Sequence, residues 1–268
     1  MSNFFLAKEK LLVNKFNKNG FIIFDIKDYK KLNSIKKVIF KLSKKFFLKK
    51  KIKINKNFFN YTHKYVNPDL LNSFRMFIYS EINKNNLFLK DYYLIGRDFL
   101  NIICGNELVM QRKVNLSIQL PQDDSSLLPL HSDVWSGCSP YEVVLWIPLV
   151  NCKKTKTMFL LPKNQNEKYY KLMHKFSSVN EIENKIQKKV KWLNIKYGQG
   201  IIFQHSMMHG NKINQENTSR WSFNCRFKSV FSPYDDKSIG ETFVPITLRP
   251  ASVFGMNYKI PKVKNVKF

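Results

Sequence analysis

The stretch SRWSFNCRFKSVF, Ser219 to Phe231, alternates along its whole length. Successive side chains of an extended strand point to opposite faces. Trp221, Phe223, Cys225 and Phe227 therefore share one face, and Arg220, Ser222, Asn224 and Arg226 share the other. The first face calls for a core. The second, polar and carrying two arginines, suits the inside of a barrel that holds a ligand.

Working outward from this strand, the neighbouring segments read the same way. LVMQRKVNLSIQLP (Leu108 to Pro121) is one long extended run, and YEVVLWIPLV and TMFLLP are short buried strands punctuated by Pro. YGQGIIFQHSMMHGN returns to strand through two glycines. Before about residue 107 the texture is helical. Leu32, Ile35, Ile39, Leu42 and Phe46 recur at three and four residues, Asp69 to Ile82 and Asp91 to Ile103 form further helices, and NGFIIFDI is an entry strand. The expected fold is α+β: a jelly-roll, cupin-like β-sandwich with helices on its outside. It forms one domain over 1–268, with a mainly helical layer at 1–106, a β core at 107–268 and a Lys-rich helical insertion near 166–191.

Composition narrows the function. With 23 Phe, 12 Tyr and 4 Trp the chain is rich enough in aromatics for a sizeable core. The net charge of +27 invites an acidic partner, yet only six of the 46 basic residues are Arg, the better reader of phosphates and bases. A Lys-, Asn- and Ile-rich profile is also what a base-composition bias writes onto any solvated surface. No nucleic-acid partner is expected. The four cysteines, Cys104, Cys138, Cys152 and Cys225, are too widely spaced for a zinc knuckle and read as reduced thiols. No apolar run is long enough to span a bilayer, and a cytoplasmic protein is expected. Nothing in the sequence fixes the oligomeric state.

Chemistry enters with LHSDVWSG, Leu130 to Gly137. If this segment is extended, His131 and Asp133 point to one face and reach one place, as two metal ligands must; alone, the pair is equally an ordinary polar loop. HSMMHGN offers His205 and His209 as a third ligand. Two histidines and one carboxylate make the facial triad of non-haem Fe(II) oxygenases. Arg220 follows His209 by eleven residues, and on an adjacent antiparallel strand it enters the same cavity. A guanidinium there grips a carboxylate bidentately, as the distal end of 2-oxoglutarate requires. Asn115, Ser117 and Gln119 alternate along their strand and are further candidates for hydrogen bonding to the co-substrate, or for satisfying buried backbone. Ser222 lies on the same inward face as Arg220. Trp135 either walls a substrate pocket or fills core. Arg226 and Asn224 either hold a polar group of the substrate or, for Arg226, pair with an acid.

The segments LHSDVWSGCSPYEVVLWIPLV, HGNKINQENTSRWSFNCRFKSVFSPY and PITLRPAS resemble the Fe(II)/2-oxoglutarate-dependent oxygenases of the phytanoyl-CoA-dioxygenase-like superfamily. More narrowly they resemble a bacterial family named for sporadic carbohydrate-biosynthesis clusters. The resemblance implies a double-stranded β-helix, Fe(II) on His131, Asp133 and His209, 2-oxoglutarate on Arg220, O2 as oxidant and a small carbohydrate substrate. His209 is preferred to His205 because Gly-Asn follows it and Arg220 stands at the family's distance; His205 is left as a supporting or surface residue. His63 and His174 are expected to be solvated. One departure is LPKNQN, Leu161 to Asn166, where the superfamily commonly has PGSH. Rival readings are a hydroxylase of a small acid or acyl thioester, and a non-catalytic cupin-like protein that binds an anionic partner.

Overall fold

The computed structural model describes residues 4–260. Its N-terminal part runs α1 (Ala7–Asn19), β1 (Phe21–Asp25), α2 (Tyr29–Leu48), α3 (Pro68–Asn83) and α4 (Asn86–Cys104). Local chemistry sets the starts of these helices. Asp28, Asn67 and Asn85 accept hydrogen bonds from the backbone N–H groups of Lys31, Leu70 and Phe88, and Pro68 opens α3 where its missing N–H is harmless. α1 lies outside the helices read from the sequence. Its apolar residues cover the surface without being fully buried, so its amphipathic signal is weak.

The rest contains β2 (Leu108–Gln111), β3 (Asn115–Gln119), β4 (Val143–Pro148), β5 (Phe159–Leu160), α5 (Lys163–Leu172) and α6 (Val179–Ile186). It continues with β6 (Lys191–Trp192), β7 (Gln199–Gln204), β8 (His209–Gly210), β9 (Arg220–Ser229), β10 (Phe243–Pro245) and α7 (Pro250–Asn257). The larger sheet has the order β1-β7-β4-β9-β2-β10, with β3 also paired to β9; the smaller is β6-β5-β8. All these named strand pairs are antiparallel.

β9 is central, as its alternation predicts. It pairs with β4 along one side and with β3 and β2 along the other. Its apolar face meets the helical layer: Trp221 packs on Phe58, Phe59 and Phe74 with ring centroids 5.3 to 5.9 Å apart, and Phe88 sits 5.6 Å from Phe223. Trp221 is fully buried and its indole N–H donates to Thr62 Oγ1 at 2.8 Å. Helix α4 comes down onto β4 at Gly96, where a Cβ would lie 2.8 Å from Leu145 Cδ2. The polar face of β9 turns the other way, towards the smaller sheet.

Two expectations need correction. The long strand expected over Leu108 to Pro121 is broken between Gln111 and Asn115. Met110 opposes Phe227 while Asn115 opposes Asn224, so this strand carries two more residues than β9 over the same stretch. An irregularity of that size bends the strand yet preserves the phase, keeping Asn115, Ser117 and Gln119 on the inward face. The second correction concerns the HxD segment. His131 is extended and exchanges both backbone hydrogen bonds with His209, at 2.9 and 2.8 Å, but Asp133 already begins a 3₁₀ turn ending at Ser136. The two side chains still converge, because Ser132 between them is extended.

Candidate active site

Between the two sheets lies a cavity of about 410 Å³. Val144, Trp146, Phe203, Asn115, Ser117, Arg220, Asn224 and Arg226 line it from the larger sheet, and His131, Asp133, Met158 and His209 from the opposite side.

The ligand atoms of His131, Asp133 and His209 all lie within 4.8 Å of one another. Their chemistry fits a divalent transition metal. His131 Nδ1 donates to the Pro129 carbonyl and His209 Nδ1 to the Met207 carbonyl, each at 2.8 Å and each two residues back. A carbonyl only accepts, so both imidazoles carry their proton on Nδ1 and keep the Nε2 lone pair for a metal. Burial and the neighbouring His131 push the His209 pKa down to about 4, so the ring is neutral at physiological pH, as a ligand must be. Burial works to raise the Asp133 carboxyl, but His205 and the Arg226 charge outweigh it and hold the group well below the usual carboxylate range.

Behind the triad stands a buried polar chain. Arg226 Nη2 donates to Asp133 Oδ1 at 2.8 Å, Nη1 to Gln111 Oε1 at 3.2 Å and Nε to His205 Nε2 at 2.8 Å. His205 Nε2 also lies 3.1 Å from Asp133 Oδ2, and its Nδ1 is 3.3 Å from Glu142 Oε2. Asp133 thus has Oδ1 held by Arg226, while Oδ2 faces both His205 Nε2 and, at 4.0 Å, His209 Nε2.

Arg220 is 3% exposed and forms no ion pair among the described residues. Nη2 donates to Ser117 Oγ at 2.9 Å and Nη1 to the Thr157 carbonyl at 3.3 Å. Burial lowers its pKa to about 10, still high enough to keep it charged. Around it several buried polar atoms lack partners: Arg220 Nε, Gln119 Oε1, Ser222 Oγ and Thr157 Oγ1. Gln119 is directly opposite Arg220 in the sheet, and Ser222 opposite Ser117. A buried cation without a counter-ion is costly, and of this cluster Arg220 lines the cavity, where its guanidinium is suited to an anion.

The remaining sequence candidates are placed as follows. Asn115 donates to Asn224 at 3.0 Å, and both line the cavity. Gln119 and Ser222 are buried outside the lining, with Gln119 Nε2 donating to the Lys212 carbonyl at 2.7 Å. Arg226 lines the cavity and donates to Asp133, His205 and Gln111, so it is the partner of an acid. Trp135 does not line the cavity; its ring packs against Tyr170 of the helical insertion, 6.3 Å between centroids. His205 is fully buried, so the surface alternative for it fails. His63 is also not freely solvated, since its Nδ1 lies 3.0 Å from Ser219 Oγ; His174 is exposed.

Sequence reasoning missed three contributors. Glu142 looks like the polar start of a strand until His205 is seen against it. Asn211 of HGN accepts from Leu128 N at 2.6 Å and donates to the Ser126 carbonyl at 3.3 Å, fixing the loop that closes the cavity. Asn166, in the segment that departs from PGSH, donates to the Ser206 carbonyl at 3.1 Å and accepts from Met208 N at 2.8 Å. It braces the turn leading to His209.

No protein-family model and no curated protein matches the chain. Among solved structures it is similar to EctD from S. alaskensis in its apo form, with 12% identity over 90% of this chain and 85% of that one and a TM-score of 0.55. It is similar to AviO1 from Streptomyces viridochromogenes Tue57, with 12% identity over 86% and 99% of the two chains and a TM-score of 0.55. A third is the non-heme alpha ketoglutarate dependent carbocyclase SnoK from nogalamycin biosynthesis, with 11% identity over 90% and 97% and a TM-score of 0.54. At such identities the likeness is one of fold. The chain thus shares its mixed arrangement of helices and antiparallel sheets with a set of solved proteins that includes a non-haem α-ketoglutarate-dependent enzyme.

Proposed function

We propose that the chain is a single-domain, cytoplasmic Fe(II)/2-oxoglutarate-dependent oxygenase built on a double-stranded β-helix. One observation carries this reading: a buried, counter-ion-free Arg220 shares a cavity with a His131–Asp133–His209 triad whose two Nε2 atoms are held free. A metal and a dicarboxylate satisfy the two halves together, and neither half has an evident structural purpose without them.

As the donor set that non-haem Fe(II) oxygenases use, His131, Asp133 and His209 would hold the ferrous ion. When bound, this group supplies oxidation of an unreactive C–H bond, with 2-oxoglutarate converted to succinate and CO2. The protein's own part is orientation. Arg220, steadied by Ser117 and the Thr157 carbonyl, fixes the far carboxylate of the oxo acid. Arg226 keeps Asp133 ionised and its Oδ1 occupied, while Val144, Trp146, Met158 and Phe203 give the cavity apolar walls that limit water. Asn115 and Asn224 present amides on the larger sheet's inner face, suited to hydroxyl-bearing groups.

The substrate is a small molecule, and a sugar or sugar-linked intermediate of surface-polysaccharide synthesis is the class supported by the resemblance of the motif segments. Hydroxylation is the expected outcome. The test is succinate formation by purified protein supplied with Fe(II), ascorbate and 2-oxoglutarate, first alone and then with a panel of sugars and nucleotide sugars. Slow turnover without substrate, stimulated by one member of the panel and lost in Arg220→Ala, supports the reading. Absence of both 2-oxoglutarate binding and succinate would leave a non-catalytic barrel.

A further inference from the structure

Arginine is rare in this chain, six residues against forty lysines. Yet Arg75, Arg220 and Arg226 all line the central cavity, and no lysine does. Half of the arginines thus sit in one place from which the abundant cation is excluded. Two of them have work: Arg226 neutralises Asp133, and Arg220 awaits the oxo acid. Arg75 is unassigned.

Arg75 comes from α3, in the helical layer, and reaches over the edge of the sheet. Its Nη2 donates to the Ile118 carbonyl at 3.0 Å and to Ser126 Oγ at 2.6 Å, which fixes the plane of the guanidinium. It forms no ion pair among the described residues, and its Nε has no partner. Asp123 attracts it through space without forming an ion pair, and accepts from Ser125 N and Ser125 Oγ, both at 2.9 Å. The Arg75 charge is felt at Arg220 as repulsion. Two like charges therefore face one cavity whose only lining carboxylate is claimed by Arg226.

A charge count follows from the reading of the site given above, on which this inference rests. Three guanidinium groups and a divalent ion are opposed by Asp133 and the two carboxylates of 2-oxoglutarate. The groups that line the cavity then carry an excess of two positive charges, offset in part by Asp123 near Arg75 and Glu142 near Arg226, which lie outside the lining. We infer that the primary substrate carries an oxyanion, a carboxylate or a phosphate, and that Arg75 grips it beside the Ser125–Leu128 loop. A pre-fixed guanidinium at a cavity wall is suited to such a group, and it selects against the neutral analogue by leaving a charge unpaired. Arg75 is on this account the specificity determinant.

The experiment uses the full chain loaded with Mn(II) and saturating 2-oxoglutarate under anaerobic conditions, with inorganic phosphate and acetate as probes. Paramagnetic relaxation of ³¹P and of the acetate protons reports a saturable site near the metal, and calorimetry reports 2-oxoglutarate affinity on the same samples. Wild type should relax at least one probe saturably, and which one distinguishes phosphate from carboxylate. Arg75→Gln should weaken that probe at least tenfold, leaving 2-oxoglutarate affinity within about twofold; Arg75→Lys, which keeps the charge, should retain most of the effect. The inference is overturned if wild type relaxes neither probe, if Arg75→Gln retains full binding, or if Arg75→Gln weakens 2-oxoglutarate instead. Should wild type fail to bind 2-oxoglutarate at all, the oxygenase reading falls with it, which calorimetry reveals separately.

Discussion

Arg226 stands six residues beyond Arg220 on β9, and both point inward, yet they do opposite things. Arg220 keeps its charge uncompensated for a ligand, whereas Arg226 surrenders its charge to Asp133. The alternation of β9 made both side chains legible as cavity residues, but the sequence held no sign of which would be paired, because the partner lies 93 residues away. The surroundings of His205 and His209 also differ: one ring is wedged between Arg226 and Glu142, while the other spends Nδ1 on the Met207 carbonyl and turns to the cavity. The two-way division predicts different losses. Arg226→Leu strands a buried carboxylate and should weaken Fe(II) binding by about 10–100-fold, the range typical of groups that orient metal ligands. Competition with a chelating dye measures this, and unchanged affinity would show that Asp133 needs no such support.

At the scale of elements, the short β8 has a demanding role. Gly210 follows the ligand His209, and a Cβ there would lie 2.8 Å from Phe159 Cζ and 3.0 Å from the Leu128 carbonyl oxygen. The loop leading to His131 passes directly over this glycine. Gly210→Ala should push that loop outward, lowering metal affinity about tenfold or more while circular dichroism stays native-like; equal affinity would mean the loop adapts freely. The same region shows why parts of the fold escaped the sequence. A strand of two residues carries no period to detect, and HxD read as a strand became a 3₁₀ turn after one paired residue. The irregularity between β2 and β3 has no Gly or Pro to announce it. By contrast β4, β7 and β9, long enough to show their pattern, were legible, as were α2, α3 and α4. Arg75 was invisible as a site residue because it sits within an ordinary helix, and only the packing of α3 against β3 brings it to the cavity.

For the whole molecule, composition proved a poor guide to the site. The +27 charge belongs overwhelmingly to lysines, and none of these lines the central cavity. No helix among the described residues is long and apolar enough to cross a membrane. What matters energetically is the interior charge. A cavity lined by Arg220 and Arg75, neither of them in an ion pair among the described residues, is a site where a bound anion should stabilise the fold. A ligand at about a hundred times its Kd contributes ~2.7 kcal/mol, roughly 5–10 °C in Tm for a chain of this size. Differential scanning fluorimetry should therefore show one increment on adding Ni(II) and a second on adding 2-oxoglutarate. Arg220→Ala should lose only the second; loss of neither would detach that arginine from the co-substrate.

The most direct test is the visible absorption spectrum of the purified chain titrated anaerobically with Fe(II) and 2-oxoglutarate. If three side chains hold iron while Arg220 presents the oxo acid to it, a metal-to-ligand charge-transfer band should grow to saturation at one iron and one 2-oxoglutarate per chain and vanish in Asp133→Ala. No band in the wild type, or an equal band in Asp133→Ala, would contradict the account.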